Sequence, residues 1–241
     1  MTTDLIGLGD RADIILDIDA STPLTDSLIR SVAEVCDGAE DSAEAVVILR
    51  LADRSLPGTP ETAWPGDTGV HAVNKWERVL RRLERLPAAT IAVVQGAVGG
   101  PALELLLAMD YRIGTPDVVV RPPFLGRDPW PGMLLHRLSQ QTGVAAARRI
   151  TLFGSEISAE RALHTGILDE LAPADDLAAP VAAAAKLATG LAGSELAIRR
   201  RLVLDASTTA FEESLGAHLS ACDRALRRAR TRTSAAEGSA A

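Results

Sequence analysis

Short apolar runs alternate with amphipathic segments along the first half of the chain. Residues 14–18 and 45–51 are mostly apolar runs, long enough for strands and too short for helices. The segment after Thr25 carries apolar residues at helical spacing, at Leu28 and Val32. Strands that alternate with helices predict an α/β domain with a parallel sheet, and apolar strands of this kind are covered on both faces.

Residues 85–110 predict a buried strand, a glycine turn and a helix. Residues 89–94 form the apolar strand, and Gly99 and Gly100 follow in the turn, where glycine permits backbone conformations that a Cβ would forbid. Pro101 has no N–H and a fixed φ, so it suits the first turn of a helix. We therefore expect the helix to begin at this proline, directly after the turn.

The start of this helix is a candidate binding site. Its first N–H groups have no partner within the helix and lie at the positive end of the helix dipole, which favours a polarised carbonyl oxygen or a phosphate. Glu104 lies one turn further on, among leucines that predict burial and hence a raised pKa suited to proton transfer. The alternative is a simple turn between a core strand and a core helix, with Glu104 stabilising only the dipole.

The second half of the chain is predicted to be helical and rich in alanine. Helices are expected over 159–165, 174–191 and 194–230. The last segment carries an apolar stripe: Phe211, Leu215, Leu219, Cys222 and Leu226. The sequence thus predicts an α/β core over 1–154, a C-terminal helical region over 155–230 and a disordered polar tail over 231–241.

Composition narrows the class of protein. The net charge of −7 argues against a nucleic-acid partner. No run of 18 apolar residues is present and the N-terminus is acidic, so we expect a cytoplasmic protein with no membrane partner. Cys36, Cys222 and the four histidines show no metal-binding spacing, so no metal is expected.

Three motifs in a fixed order resemble the crotonase (enoyl-CoA hydratase/isomerase) family. Residues 94–105 (VQGAVGGPALEL) are similar to the family's V-N-G-x-x-x-G-G-G-x-E-L, and 109–113 (MDYRI) to its C-D-x-R-I. Residues 151–160 (TLFGSEISAE) are similar to L-T-G-x-x-I-S-A-x-E, and the likeness extends over residues 13–228. The resemblance implies a spiral of ββα units with a C-terminal trimerisation region, a homotrimer or hexamer, and an acyl-CoA substrate. Apart from coenzyme A in the substrate, no cofactor is implied.

The family holds the thioester carbonyl between two backbone N–H groups, which stabilise the enolate charge. One donor is a glycine three residues before the first glutamate, and the corresponding residue here is Pro101, which has no N–H. The amides of Gly100, Ala102 or Leu103 remain as replacements. The resemblance therefore assigns substrate binding to Gly99, Gly100, Pro101, Ala102 and, as part of an aromatic wall, Trp130. Trp130 is equally well explained as a packing residue.

Hydratases of the family also use two glutamates. Glu104 matches the first, and Phe124, which cannot transfer a proton, occupies the place of the second. Asp128 is the nearest carboxylate along the chain and is the second candidate catalytic residue. Its alternative interpretation is a solvated turn residue. The lost glutamate argues against a fatty-acid β-oxidation hydratase.

Residues 75–87 (KWERVLRRLERLP) resemble the DpgB-type subgroup of dihydroxyphenylglycine biosynthesis, which accompanies a type III polyketide synthase. This resemblance implies a polyketide-derived acyl-CoA, dehydrated and aromatised to 3,5-dihydroxyphenylacetyl-CoA in antibiotic biosynthesis. The alternative, suggested by Pro101 and Phe124, is a catalytically weakened crotonase. Such a protein would stimulate the type III polyketide synthase or a sister crotonase as a partner.

Overall fold

A computed structural model describes residues 3–6, 13–42, 44–54, 68–125, 127–188 and 193–238, of which 3–6 and 232–238 are described by their backbone alone. The strands, in chain order, are β1 (Thr3–Ile6), β2 (Asp13–Asp19), β3 (Val46–Ala52), β4 (Ala89–Gln95), β5 (Ala97–Val98), β6 (Tyr111–Gly114), β7 (Val119–Val120), β8 (Phe124–Leu125), β9 (Asp128–Pro129), β10 (Ile157–Ser158) and β11 (Glu170–Leu171). The helices are α1 (Asp26–Asp41), α2 (Val70–Leu83), α3 (Gly100–Leu107), α4 (Leu134–Thr142), α5 (Val144–Leu152), α6 (Ala159–Thr165), α7 (Ala178–Ala188), α8 (Ser194–Asp205) and α9 (Phe211–Gly238).

The main sheet has the strand order β1-β2-β3-β4-β6-β11. Only β1 runs antiparallel to its neighbour, and the other pairs are parallel. Helices α1, α2 and α3 connect successive parallel strands, as parallel strands require. The α/β prediction with a parallel sheet is confirmed.

Both faces of the sheet are covered, which explains the continuous apolar runs. One face packs with α1, α2 and α3 in the large core. The opposite face packs against α7 in a second cluster: Ile15, Val46, Ile48, Ile91, Val93, Ile113, Val181, Ala184 and Ala185. Two smaller sheets lie outside this layer, one with the order β10-β7-β5 and one hairpin of β8 and β9.

Arg200 fastens α8 to the end of the sheet. Its guanidinium donates to the Asp110 carboxylate, with 2.7 Å from Nε to Oδ1, and to the carbonyl oxygens of Leu86 and Ala88. Because Asp110 also accepts from the backbone N–H of Thr90 at 2.9 Å, α8 is held at the start of β4.

The last helix is longer than the sequence predicts. α9 continues through Thr231 to Gly238, whereas the small polar residues of this segment favour a disordered tail; residues 239–241 of that tail lie outside the described ranges. Its apolar stripe is exposed at Phe211, Leu215, Leu219 and Leu226. Within the described ranges, no helix combines the length and the apolar character needed to cross a membrane.

Candidate functional site

The turn between β4 and α3 brings two strand ends close together. Gly96 has a φ of 71°, a left-handed conformation that side chains disfavour. A Cβ at Gly96 would lie 3.2 Å from the Cβ of Asp53, which follows β3. The Asp53 N–H also donates to the Gln95 carbonyl at 3.1 Å. The glycine at this position therefore permits the close approach of the two strand ends next to α3.

The start of α3 leaves few N–H groups for a ligand. Gly99 is the N-cap, and Gly100 has a φ of 47°. The Leu103 N–H donates to the Gly99 carbonyl at 3.2 Å, and Pro101 has no N–H. Within the part of the chain that the structure describes, the amides of Gly100 and Ala102 have no protein acceptor. Of the replacements considered for the missing donor, Leu103 is therefore excluded, and Gly100 and Ala102 remain.

Glu104 projects from α3 into the core and is only 1% exposed. The Trp76 indole N–H, from α2, donates to its Oε2 at 2.6 Å. The backbone N–H of Leu134, at the start of α4, also interacts with this carboxyl. Three helices thus meet at one buried acid.

Burial raises the pKa of Glu104 to about 7. The carboxylate of Glu77 raises this pKa further, while the hydrogen bond from Trp76, the Arg137 guanidinium and the Leu134 N–H lower it. A pKa near neutrality populates both protonation states at pH 7. Glu104 is therefore suited both to accept and to return a proton.

An ion-pair network holds α4 against α2 beside this acid. Arg137 is 7% exposed; its Nη2 lies 2.9 Å from Oε2 of Glu77, and its Nε lies 2.7 Å from Oε1 of Glu84. A buried guanidinium with two carboxylate partners is costly to disrupt, because removal of one partner leaves a charge buried. The network therefore fixes the helix that presents Leu134 to Glu104.

The raised pKa of Glu104 makes a prediction about stability. A carboxyl whose pKa is about 7 in the folded state, against an ordinary 4.5, binds its proton more tightly when folded. The contribution of this carboxyl to the stability of the fold is greatest below about pH 4.5 and is lost as the pH rises through 7. The free energy of unfolding of the wild type should therefore fall as the pH rises from 5 to 8. Glutamine cannot ionise, so the fall in Glu104→Gln should be smaller by about 2–3 kcal/mol. Urea unfolding across this range measures the difference, with Glu212→Gln on the exposed surface as control. Parallel curves for wild type and Glu104→Gln would contradict the assignment.

Trp130 lies next to Glu104. A Cβ at Gly132 would fall 2.3 Å from the Trp130 Nε1 and 3.4 Å from Oε1 of Glu104. The absence of a side chain at Gly132 therefore lets the Trp130 indole lie beside the acid. Trp130 is half-buried and packs against the core. The structure brings this predicted site residue to Glu104, and its role in binding a substrate stays a prediction.

Phe124 and Asp128 lie on the β8–β9 hairpin. The Phe124 ring lies over Gly154, where a Cβ would come within 2.7 Å of its Cζ. Asp128 is exposed, opposite Leu125. Among the described residues, no hydrogen bond joins the Asp128 carboxylate to Glu104. The proposed acid–base role of Asp128 stays a prediction.

Sequence reasoning missed Trp76, Gly132 and Leu134 as neighbours of Glu104. Trp76 falls on the apolar face of α2, where its spacing indicates only packing. The hydrogen-bonding needs of the two side chains could have indicated the pair. A buried indole N–H needs an acceptor, and Glu104 was the acid predicted to be buried. The contacts of Gly132 and the Leu134 N–H depend on how α4 packs, which spacing does not reveal.

Comparison with known proteins places this chain in a family. The family model described as enoyl-CoA hydratase/isomerase matches residues 68–239. A protein from Amycolatopsis orientalis named enoyl-CoA-hydratase is 43% identical over 221 residues, which are 92% of this chain and 99% of the relative.

Solved structures share the fold at low sequence identity. An enoyl-CoA hydratase/isomerase from Cupriavidus metallidurans CH34 gives a TM-score of 0.78 at 16% identity, covering 94% of this chain and 89% of its own. A putative enoyl-CoA hydratase/isomerase from Mycobacterium abscessus gives a TM-score of 0.76 at 22% identity, covering 96% of this chain and 93% of its own. The expected crotonase-like fold is confirmed, and the chain belongs to the enoyl-CoA hydratase/isomerase family.

Proposed function

We propose that this protein catalyses proton transfer at the carbon next to the carbonyl of an acyl-CoA thioester. The observation that carries this proposal is Glu104, a buried carboxyl with a pKa of about 7. It lies on the same short helix as the amides of Gly100 and Ala102, which have no acceptor among the residues that the structure describes. An acid–base group and oxyanion donors on the same short helix are the two components that enolate chemistry requires.

A dehydration can be performed with one carboxyl. Ionised Glu104 takes a proton from the carbon next to the thioester, and the N–H groups of Gly100 and Ala102 stabilise the negative charge that develops on the carbonyl oxygen. When the enolate re-forms the carbonyl, the β-carbon–oxygen bond breaks. The leaving hydroxyl takes the proton from Glu104 and departs as water, so the carboxylate is regenerated. Phe124, in the place of a second glutamate, is then no obstacle.

The substrate that we infer is a polyketide-derived acyl-CoA. The resemblance of residues 75–87 to the DpgB-type subgroup supports this substrate, and Trp76 and Trp130 place aromatic surface around Glu104. The reaction would be loss of water from a cyclised tetraketide, giving 3,5-dihydroxyphenylacetyl-CoA in dihydroxyphenylglycine biosynthesis. Asp128 is retained in this proposal as the candidate second acid.

Product analysis with a type III polyketide synthase tests this assignment. Synthase alone, synthase with the wild-type protein and synthase with Glu104→Gln are compared for release of 3,5-dihydroxyphenylacetyl-CoA. The proposal expects the product to increase with wild type and not with Glu104→Gln. Equal product in all three reactions contradicts it.

A catalytically weakened crotonase is the second candidate. It is favoured by the near-complete burial of Glu104, whose Oε2 is already bonded to Trp76, and by the loss of the second glutamate at Phe124. In this role the protein would bind the type III polyketide synthase or a sister crotonase and raise its output. Equal stimulation by wild type and Glu104→Gln, seen only when the synthase is present, would favour this function.

We also propose that the protein is a homotrimer or a hexamer. The apolar stripe of α9 is exposed, and such a surface in a folded chain is typical of a subunit interface. Leu219→Asp places a charge in this stripe and is expected to shift sedimentation towards the monomer. His218→Asp, at the exposed neighbouring position, is the matched control and should leave the assembly unchanged. A stable wild-type monomer at micromolar concentration would contradict the proposal.

A further inference from the structure

Trp76 is the one tryptophan in the described part of the chain that is almost fully buried, at 1% exposure. It lies on the core face of α2, where the other buried residues are Leu80 and Leu83. A leucine or phenylalanine would also fill an apolar core, but only an indole adds an N–H donor. That donor lies 2.6 Å from Oε2 of Glu104.

We propose that Trp76 is a positioning residue that fixes the orientation of the Glu104 carboxyl and stabilises its ionised form. This inference rests on the function proposed for Glu104. The indole N–H holds Oε2, so the carboxyl group cannot rotate freely about its last bond. A short bond to a buried carboxylate is a charge-assisted hydrogen bond, one of the stronger kinds in proteins.

The same geometry selects the oxygen that reacts. With Oε2 held by Trp76, Oε1 is directed towards Gly132, where a Cβ would lie 3.4 Å away. The Trp130 indole occupies this space, since its Nε1 would lie only 2.3 Å from a Cβ at Gly132. Because Trp76 holds Oε2, Oε1 is the oxygen to which this inference assigns the exchange of the substrate proton.

The charged groups around Glu104 come from two other helices. Glu77, on α2, disfavours the ionised form, and Arg137, on α4, favours it. These two groups are paired with each other at 2.9 Å, so their effects on Glu104 oppose one another. The Leu134 N–H also favours the carboxylate, but among the side chains the hydrogen bond from Trp76 is the largest influence that opposes burial.

Two variants remove the donor from Trp76. Trp76→Phe retains an aromatic ring, and replacement of Trp76 by β-(3-benzothienyl)alanine retains the full bicyclic shape without the N–H. Loss of the donor should raise the Glu104 pKa from about 7 to about 8 or above. The titration is followed by carbon-13 NMR of the glutamate carboxyl groups, with Glu104→Gln identifying the signal. Leu80→Val, one turn along α2, is the control for lost packing.

The proposal expects the pKa to rise in both Trp76 variants and to stay at about 7 in Leu80→Val. An unchanged pKa in the benzothienyl variant overturns it, as does an equal rise in Leu80→Val. This readout does not depend on turnover, so it remains informative if Trp76→Phe folds poorly.

A kinetic measurement separates failure of this inference from failure of the proposed function. Deuterium exchange into 3,5-dihydroxyphenylacetyl-CoA is followed from pH 5 to 9, and its acidic limb should move upward with the Glu104 pKa in the Trp76 variants. An unmoved pKa, with exchange that Glu104→Gln still abolishes, would reject Trp76 and keep Glu104. A raised pKa with an unmoved rate profile would reject the catalytic role of Glu104 and, with it, positioning by Trp76.

Discussion

Glu104→Gln is expected to lower kcat/KM by about 10²–10⁴-fold, the usual contribution of a general acid–base group. Glutamine retains the shape of the side chain and can still accept the Trp76 hydrogen bond, but it cannot exchange a proton. Because ground-state binding is retained, the loss should fall on kcat with KM little changed. Steady-state kinetics with the synthase-derived thioester measures both constants.

Asp128→Asn is the comparison for this prediction. Asp128 is exposed on the β8–β9 hairpin, and no hydrogen bond among the described residues connects it to Glu104. A loss of at least 10-fold for Asp128→Asn beside the loss for Glu104→Gln would support two acids. A large loss for Asp128→Asn with none for Glu104→Gln would mean that the reacting carboxyl is Asp128. No loss in either variant would favour the partner function.

The second large effect concerns the backbone of α3. Replacing the amide that links Pro101 to Ala102 by an ester removes the Ala102 N–H while every side chain is kept. If that N–H binds the thioester oxygen, kcat/KM should fall by about 10²–10³-fold, the typical effect of removing one oxyanion donor. Incorporation of lactic acid at position 102 gives this variant.

The matched control is the ester at Leu103. The Leu103 N–H bonds the Gly99 carbonyl at 3.2 Å, so its loss weakens the first turn of the helix without removing a substrate donor. Thermal unfolding should show a lower Tm for the Leu103 ester with kcat/KM nearly retained. If the two esters lose the same activity, the effect comes from the helix and not from an oxyanion site.

Hydrophobic periodicity was sufficient for the long elements of the core. β2, β3 and β4 are largely buried within the sheet, so their sequences are mostly apolar and their positions could be predicted within one or two residues. The N-cap of α1 was also predictable, since the Thr25 hydroxyl accepts from the Leu28 N–H at 3.1 Å.

The short elements carry no such signal. Strands of two residues, such as β5 and β8, are too short to show a period, and their pairing is fixed by contacts made elsewhere. The separate helices α4 and α5 were not predicted either. Gly143, with a φ of 79°, divides them, and a lone glycine in sequence does not reveal its conformation.

The candidate site was predictable in part. Two features of the sequence indicated a buried carboxyl at a helix start: the spacing of Gly99, Gly100 and Glu104, and the leucines around the acid. The structure shows this burial. The partners that set its proton affinity come from α2 and α4, far apart in sequence. Long-range contacts of this kind depend on tertiary packing, which local sequence patterns do not reveal.

Glu104 is expected to move a proton at the carbon next to the thioester. Deuterium exchange at that carbon tests it without knowledge of the full reaction. 3,5-Dihydroxyphenylacetyl-CoA is incubated in D₂O with wild type or Glu104→Gln, and deuterium uptake is followed by mass spectrometry. We expect exchange by wild type well above the buffer rate and a loss of about 10²-fold or more in Glu104→Gln. Equal exchange by the two proteins, or wild-type exchange no faster than buffer while the thioester is bound, would contradict it.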